Sequence, residues 1–361
     1  MGSLARVSGL SLPVLVAIFA AAAGAVWFAG IQLSNTTDVL STRLGLGEAL
    51  GGLILLAIAT NLPEIAITAS AALAHDLGIA IGNILGGIAI QTVVLAALDA
   101  FGVRGKRPLT YMGASLQLVL EAVLVVAVLV VAIMGTRLPS SLIVGRVAPG
   151  GLLIVVLWVV GLWLLGRAGR GLPWQERGHA PESQSEPHGH SRAKKEQGAT
   201  EKGHSTARVA LIFGAAALVT LAGGVALEES GNAISGHIGL SGVIFGSTIL
   251  AAATSLPELS TGLASVKLGD YKLAFSDIFG GNAFLPVLFI MASLLSGSAV
   301  LPQAQDSDIY LAALGILLTS VYAWGLIFRP SRRVLGMGVD SLVVLTLYIV
   351  GIAGLVAVAS K

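Results

Sequence analysis

Apolar runs of about 20 residues recur from one end of this chain to the other, and nothing else in it constrains the fold as much. Roughly 20 residues of helix cross about 30 Å of hydrocarbon. Inside a bilayer every backbone polar group must bond within the protein, so runs of this length read as helices. A window of about 20 residues gives ten spans, near 11–33, 46–72, 77–100, 109–135, 141–166, 208–230, 239–265, 272–296, 308–328 and 337–359. Only 11% of the 361 residues are charged, against about 25% in a soluble domain, which excludes a water-soluble enzyme. There is no Cys, so disulfides and thiolate sites are excluded too. The first run lacks a small-residue cleavage site leading into a soluble domain and reads as a retained span.

One long polar stretch interrupts the series. Residues 169–207 are rich in Ser, Glu, Lys, Gly and His and cannot bury enough apolar surface to fold. They read as a flexible linker between a first half, residues 1–168, and a second, residues 208–361. Lys and Arg set the orientation. With the N-terminus outside, 17 of the 21 basic residues fall on the cytoplasmic side, and only Arg6, Arg137, Arg146 and Lys361 on the other. Positive charge gathers in cytoplasmic loops. Both termini are therefore expected outside a plasma (inner) membrane and the linker in the cytoplasm.

The sequence also matches itself. Shifted by 194 positions, Leu46 to Thr92 lies over Leu240 to Pro286 without gaps, with 15 identities in 47 positions. Ala59-Thr60-Asn61-Leu62-Pro63-Glu64 falls on Ala253-Thr254-Ser255-Leu256-Pro257-Glu258, and Ile84-Leu85-Gly86-Gly87 on Ile278-Phe279-Gly280-Gly281. Each half carries five spans, an odd number, so the two copies cross in opposite senses. The expected fold is all-α integral membrane, ten transmembrane helices as two inverted five-helix repeats, an architecture of many secondary transporters.

Glu64 and Glu258 lie within apolar spans, where a charge costs at least about 2.5–3.5 kcal/mol. No Lys or Arg lies at comparable depth in any span, and a cation is the natural partner. Pro63 and Pro257 have no N–H to give the carbonyls of Ala59 and Ala253. Thr60 and Glu64 are four apart and share a helix face, as do Thr254 and Glu258. Face to face, the two helices offer an all-oxygen site of charge −2, suited to calcium or, more hydrated, to sodium. The alternative is a pair of proline kinks with protonated structural glutamates.

These two blocks, each followed by a Gly-rich third helix, resemble the alpha repeats of the sodium/calcium exchanger family, within the cation/calcium exchanger superfamily. The resemblance implies calcium binding by Glu64 and Glu258 with oxygens from Thr60 and Thr254. It further implies flanking sodium sites lined by Asn61, Ser255 and the carbonyls of residues such as Ala57 and Ala251. Where the family carries a Ser in the third helix, this chain has Gly87 and Gly281. Four residues on, where the family has Asn or Asp, stand Gln91, able to serve, and Leu285, unable. Asp277, paired by repeat with Asn83, replaces the usual Asn, and Asn282 follows the glycines. The implied activity is antiport of calcium against sodium. A proton carried by either glutamate needs no Ser ligand, so cation/proton exchange is the alternative, and a passive cation channel the second. No cofactor is implied, and the expected partners are the lipid bilayer and inorganic cations, with nothing pointing to nucleic acid.

Other polar residues carry less. Glu121, one turn after Gln117, reads as a hydrogen bonder to a neighbouring helix or a proton relay. Glu228 and Glu229 read as a solvated helix end or an attractor of cations. His179, His188, His190 and His204 of the linker read as a solvated tether or a metal sensor. The motifs of phosphate-binding loops, zinc proteases and serine hydrolases are absent from the sequence.

Overall fold

The computed structural model describes residues 9–43, 53–103, 107–168, 205–240 and 242–359. The first half holds α1 (Leu12–Arg43), α2 (Leu53–Thr60), α3 (Leu62–Leu73), α4 (Leu77–Ala97, extended by a π-turn over Leu98–Gly102), α5 (Leu109–Gly113), α6 (Leu116–Gly135) and α7 (Pro149–Ala168). The second holds α8 (Thr206–Ile238), α9 (Gly242–Phe245), a π-turn over Gly246–Leu250, α10 (Ala251–Thr254), α11 (Leu256–Leu268), α12 (Tyr271–Phe284), α13 (Leu288–Ser296), α14 (Asp306–Phe328) and α15 (Val339–Ala359). Among the described residues eight helices are long and apolar enough to cross a bilayer. The pair Gly246–Thr254 and Leu256–Lys267, bent by 48°, raises this to nine. Most of the linker, with its four histidines, and the start of the span expected at 46–72 lie outside the described residues.

Local chemistry sets the ends. Asp76 and Asp270, 194 positions apart, cap α4 and α12, accepting from Ile79 N at 3.3 Å and Leu273 N at 3.0 Å, which satisfies an orphan donor of the first turn. Ser115 and Ser205 cap α6 and α8 in the same way. The two breaks sit at Asn61 and Ser255, each just before a Leu-Pro pair, with ψ near zero at 14° and 6°. Proline supplies no N–H and its ring crowds the preceding turn.

Several spans depart from their hydropathy limits. α1 runs on to Arg43 and α8 to Ile238; the two lie along each other, and where α1 ends beside the start of α8, Arg43 Nη1 donates to Thr206 Oγ1 at 3.1 Å. The span expected at 109–135 is cut at Ala114 and Ser115, where Ser115 turns extended to cap α6. The span expected from 141 starts only at Pro149, after a tight turn in which Val144 and Val147 bridge around left-handed Gly145. A two-stranded hairpin, β1 (Arg333–Val334) and β2 (Met337–Gly338), likewise precedes α15. Pro286 introduces a 3-10 turn over Leu285–Val287 between α12 and α13.

α4 forms the centre. Within its span 89% is buried, against 28% for α1 and for α8, and it packs on α3, α12, α14 and α15. α12 mirrors it, packed on α2, α6 and α11. The α1–α8 pair lies to one side and meets the centre at two glycines, again 194 apart. A Cβ on Gly30 would stand 2.7 Å from Pro257 Cβ, and one on Gly224 2.9 Å from the Pro63 carbonyl oxygen. Only glycine permits so close an approach.

Candidate cation site between the broken helices

Glu64 and Glu258 are fully buried, and each stands in the first turn of a proline helix, α3 or α11. The unpaired N–H groups and positive dipole end of such a turn favour negative charge. Gln91, from α4, ties the two together. Its Nε2 lies 3.3 Å from Glu64 Oε1, 3.4 Å from Glu258 Oε1 and 3.0 Å from Asn61 Oδ1. The threonines cross over between the halves: Thr254 sits beside the Glu64 carboxylate and Thr60 beside that of Glu258. Thr60 Oγ1 is also 3.3 Å from both Ala57 O and Asp277 Oδ1.

Asp277 stands one hydroxyl away from the pair. Its second oxygen accepts from Thr261 Oγ1 at 2.6 Å. Its repeat mate Asn83 donates instead to Glu64 O and Thr68 Oγ1, both at 3.4 Å. Among the described residues no three His, Cys, Asp or Glu side chains cluster as a metal would require of such donors alone. The set is two carboxylates with neutral amide and hydroxyl oxygens.

Glu64 Oε2, Glu258 Oε2 and Gln91 Oε1 are buried with no hydrogen-bond donor. An acceptor left so, with a carboxylate worst of all, costs its full desolvation. Buried oxygens without donors are what a hard cation binds.

Other residues expected at the site take different places. The Ala57 carbonyl accepts from Asn61 N at 3.2 Å and Asn61 Nδ2 at 2.7 Å. The Ala251 carbonyl accepts from Ser255 N at 3.0 Å and Ser255 Oγ at 2.8 Å. Both carbonyls are engaged by the residue that breaks the helix. Asn282 directly follows the glycines and donates to Thr92 Oγ1 at 3.1 Å. The two glycines face filled space: a Cβ on Gly281 would meet Asn61 Nδ2 at 2.6 Å, and one on Gly87 would meet Leu285 Cδ1 at 3.3 Å. Thr68, Thr92 and Thr261 were not expected; Thr261 follows Glu258 by three and Thr68 follows Glu64 by four, a helical spacing that marks both. Glu121, from α6, accepts from Gln117 at 3.3 Å and from Ser276 of α12 at 3.1 Å, the interhelical bonder of its two readings.

Comparison with known proteins agrees with this fold. The chain is 24% identical over 312 residues to the inner membrane protein YrbG of Escherichia coli strain K12, covering 86% of this chain and 88% of that one. Its fold is similar to that of the sodium-calcium exchanger NCX_Mj, with a TM-score of 0.61 at 17% identity over 95% of this chain and 99% of the other. It is also similar to the H+/Ca2+ exchanger CAX, with a TM-score of 0.66 at 13% identity over 98% and 87%. The family model described as sodium/calcium exchanger protein matches residues 14–166 and 208–357. Those two matches take in both broken helices and both buried glutamates, and the chain belongs to the sodium/calcium exchanger protein family.

Proposed function

We propose that this protein is a secondary antiporter that moves calcium across the membrane in exchange for sodium, with Glu64 and Glu258 as the shared cation ligands. The observation that carries the reading is the pair of buried carboxylates, each with an oxygen lacking any donor, joined through Gln91 at two helix breaks. Thr60, Thr254, Asn61 and Ser255 complete the oxygen set around them, with Asp277 one hydroxyl away behind Thr60. The spans form ten crossings as two inverted halves, the pair α2–α3 and the bent pair α9–α11 occupying equivalent positions. Both termini lie outside the inner membrane and the linker in the cytoplasm.

Exchange follows from competition. One divalent ion neutralises both carboxylates, and the counter-ions do the same in its place, so only neutralised states cross the barrier between the two access directions. Each ion moves that equilibrium only by binding the two states differently.

A second reading, with the proton as counter-ion, is favoured by the glycine positions. Gly87 and Gly281 carry no side-chain oxygen, and a Cβ there would meet Leu285 Cδ1 at 3.3 Å and Asn61 Nδ2 at 2.6 Å, so these two positions offer sodium no hydroxyl. Burial disfavours a carboxylate's charged form and a bound cation favours it, so a proton can leave as calcium arrives. Calcium flux in proteoliposomes, with sodium and pH gradients imposed separately, tests both readings. Sodium-driven flux without response to pH supports the first, and the reverse the second. Free calcium leak without either gradient overturns antiport. Glu64→Gln and Glu258→Gln should each abolish exchange in a monodisperse protein, and near-normal flux in both removes the assigned site.

A further inference from the structure

At one end of the molecule, α5, the end of α14 and the β1–β2 hairpin meet. Arg107 and Arg329 both lie over the ring of Tyr111, with guanidinium carbons 4.8 and 5.5 Å from its centroid. Arg329 also donates from Nη2 to the Tyr111 carbonyl at 3.0 Å. Arg333 pins the hairpin beside them, donating to Val103 O at 2.9 Å and Asp99 O at 2.7 Å. The guanidiniums are thus placed by stacking and backbone bonds, so little of their freedom remains to be lost on binding. Two cations gathered at one ring repel, and a nearby anion offsets that repulsion.

What flanks the arginines says which anion. Phe101 at the end of the α4 π-turn, Phe328 at the end of α14 and Leu335 at the hairpin tip are exposed by 82%, 81% and 83%. Leu335 is held at φ 53°, before Gly336 at φ 84°. This is a two-residue turn whose first position ordinarily takes Asn, Asp or Gly. A large apolar side chain kept in a left-handed conformation and turned outward is a residue retained for what it touches. Cations set against exposed apolar groups at the end of membrane-crossing helices match a lipid that carries a phosphate above acyl chains.

We propose that this corner is a binding site for one anionic phospholipid. Its phosphate is taken by the Arg107 and Arg329 guanidiniums gathered at Tyr111, and its chains run along Phe101, Phe328 and Leu335. Gly113, in the same short helix as Tyr111, packs against Tyr271 and Phe275 of α12, with a would-be Cβ 3.2 and 3.3 Å from them. A lipid held here therefore braces the helix that carries Asp277. The inference requires only that the protein lies in a bilayer and does not depend on which ions are exchanged.

The test is native mass spectrometry of the purified full chain titrated with phosphatidylglycerol or with phosphatidylcholine of the same acyl chains. Phosphatidylglycerol should bind preferentially. Arg107→Gln and Arg329→Gln should each lower that preference about fivefold, the worth of one basic residue near an anionic surface. Arg137→Gln, at the far end of α6 and paired with Asp306, should leave it unchanged. Leu335→Asn should keep the fold and weaken binding of both lipids. Arg107 is exposed, so its variant reads the site even where Arg329→Gln fails to fold. Equal binding of the two lipids, no loss in Arg107→Gln, or displacement of the lipid by equimolar inorganic phosphate would each overturn the proposal.

Discussion

Gln91 has two amide hydrogens and three acceptors within reach, Asn61 Oδ1 and one oxygen of each glutamate. At most two bonds form at once, so the amide links the carboxylates by sharing itself among the three acceptors. A cation between the glutamates calls for an oxygen there instead, and turning the amide over presents Oε1. Gln91→Ala removes both roles. The loss of a hydrogen bond to a charged group, about 1.5–3 kcal/mol, should lower calcium-dependent flux at least about tenfold, read from initial rates at equal protein density. Gly281→Ser tests the neighbouring packing. The new Cβ must displace Asn61, and with it a bond to Gln91, so this variant should lose calcium affinity rather than acquire sodium dependence. Sodium-stimulated exchange in the single variant would show that Asn61 moves freely. Both glutamates and the threonines were legible from their repeat positions. The crossover of Thr254 to Glu64 and Thr60 to Glu258 was not, because it depends on how two helices 194 residues apart face each other.

The helix breaks belong to the scale of elements. Leu62-Pro63 and Leu256-Pro257 announce them in sequence, and the chain turns one residue earlier, at Asn61 and Ser255. What keeps these kinked helices in place is the α1–α8 pair, pressed onto them at Gly30 and Gly224. Gly30→Ala and Gly224→Ala should each destabilise the protein by about 1–3 kcal/mol through overpacking, read as a fall in melting temperature in detergent. Gly24→Ala, on the same helix as Gly30 but with nothing within 4 Å of its new Cβ, should instead be neutral or stabilising by up to about 1 kcal/mol, the helix preference of Ala over Gly. A fall for Gly24→Ala as large as for Gly30→Ala would mean that the loss at Gly30 is not specific to its contact with Pro257. The cut before α6 and the 3-10 turn at Pro286 escaped hydropathy, which averages over a window wider than either feature.

At the scale of the whole molecule, the two halves meet through packed helices. α4 of the first lies against α12, α14 and α15 of the second, and α1 against α8 and α11. Residues 169–207, which join the halves, are rich in Ser, Glu, Lys, Gly and His and poor in the apolar residues that such packing uses. Replacing Gly178 to Gly203 with a short Gly/Ser tether should therefore preserve exchange in proteoliposomes. Complete loss of flux in a monodisperse deletion protein would assign the linker, and its histidines first, a direct part in transport.

The sequence by itself determined that this chain lives in a bilayer, that it carries one motif twice, and that two acidic residues lie deep in apolar helix. Each follows from a local quantity: the length of an apolar run, the identity of aligned residues, the cost of a charge in hydrocarbon. Only the tertiary structure decided which atoms converge. It placed Gln91 between the glutamates, put Asp277 one hydroxyl away with Thr261, sent Asn282 to Thr92, and filled the space beside Gly87 and Gly281 with Leu285 and Asn61. The reason is physical: a motif fixes the face of its own helix, whereas side-chain partners across helices depend on interaxial distance and rotation, set by the packing of the whole bundle.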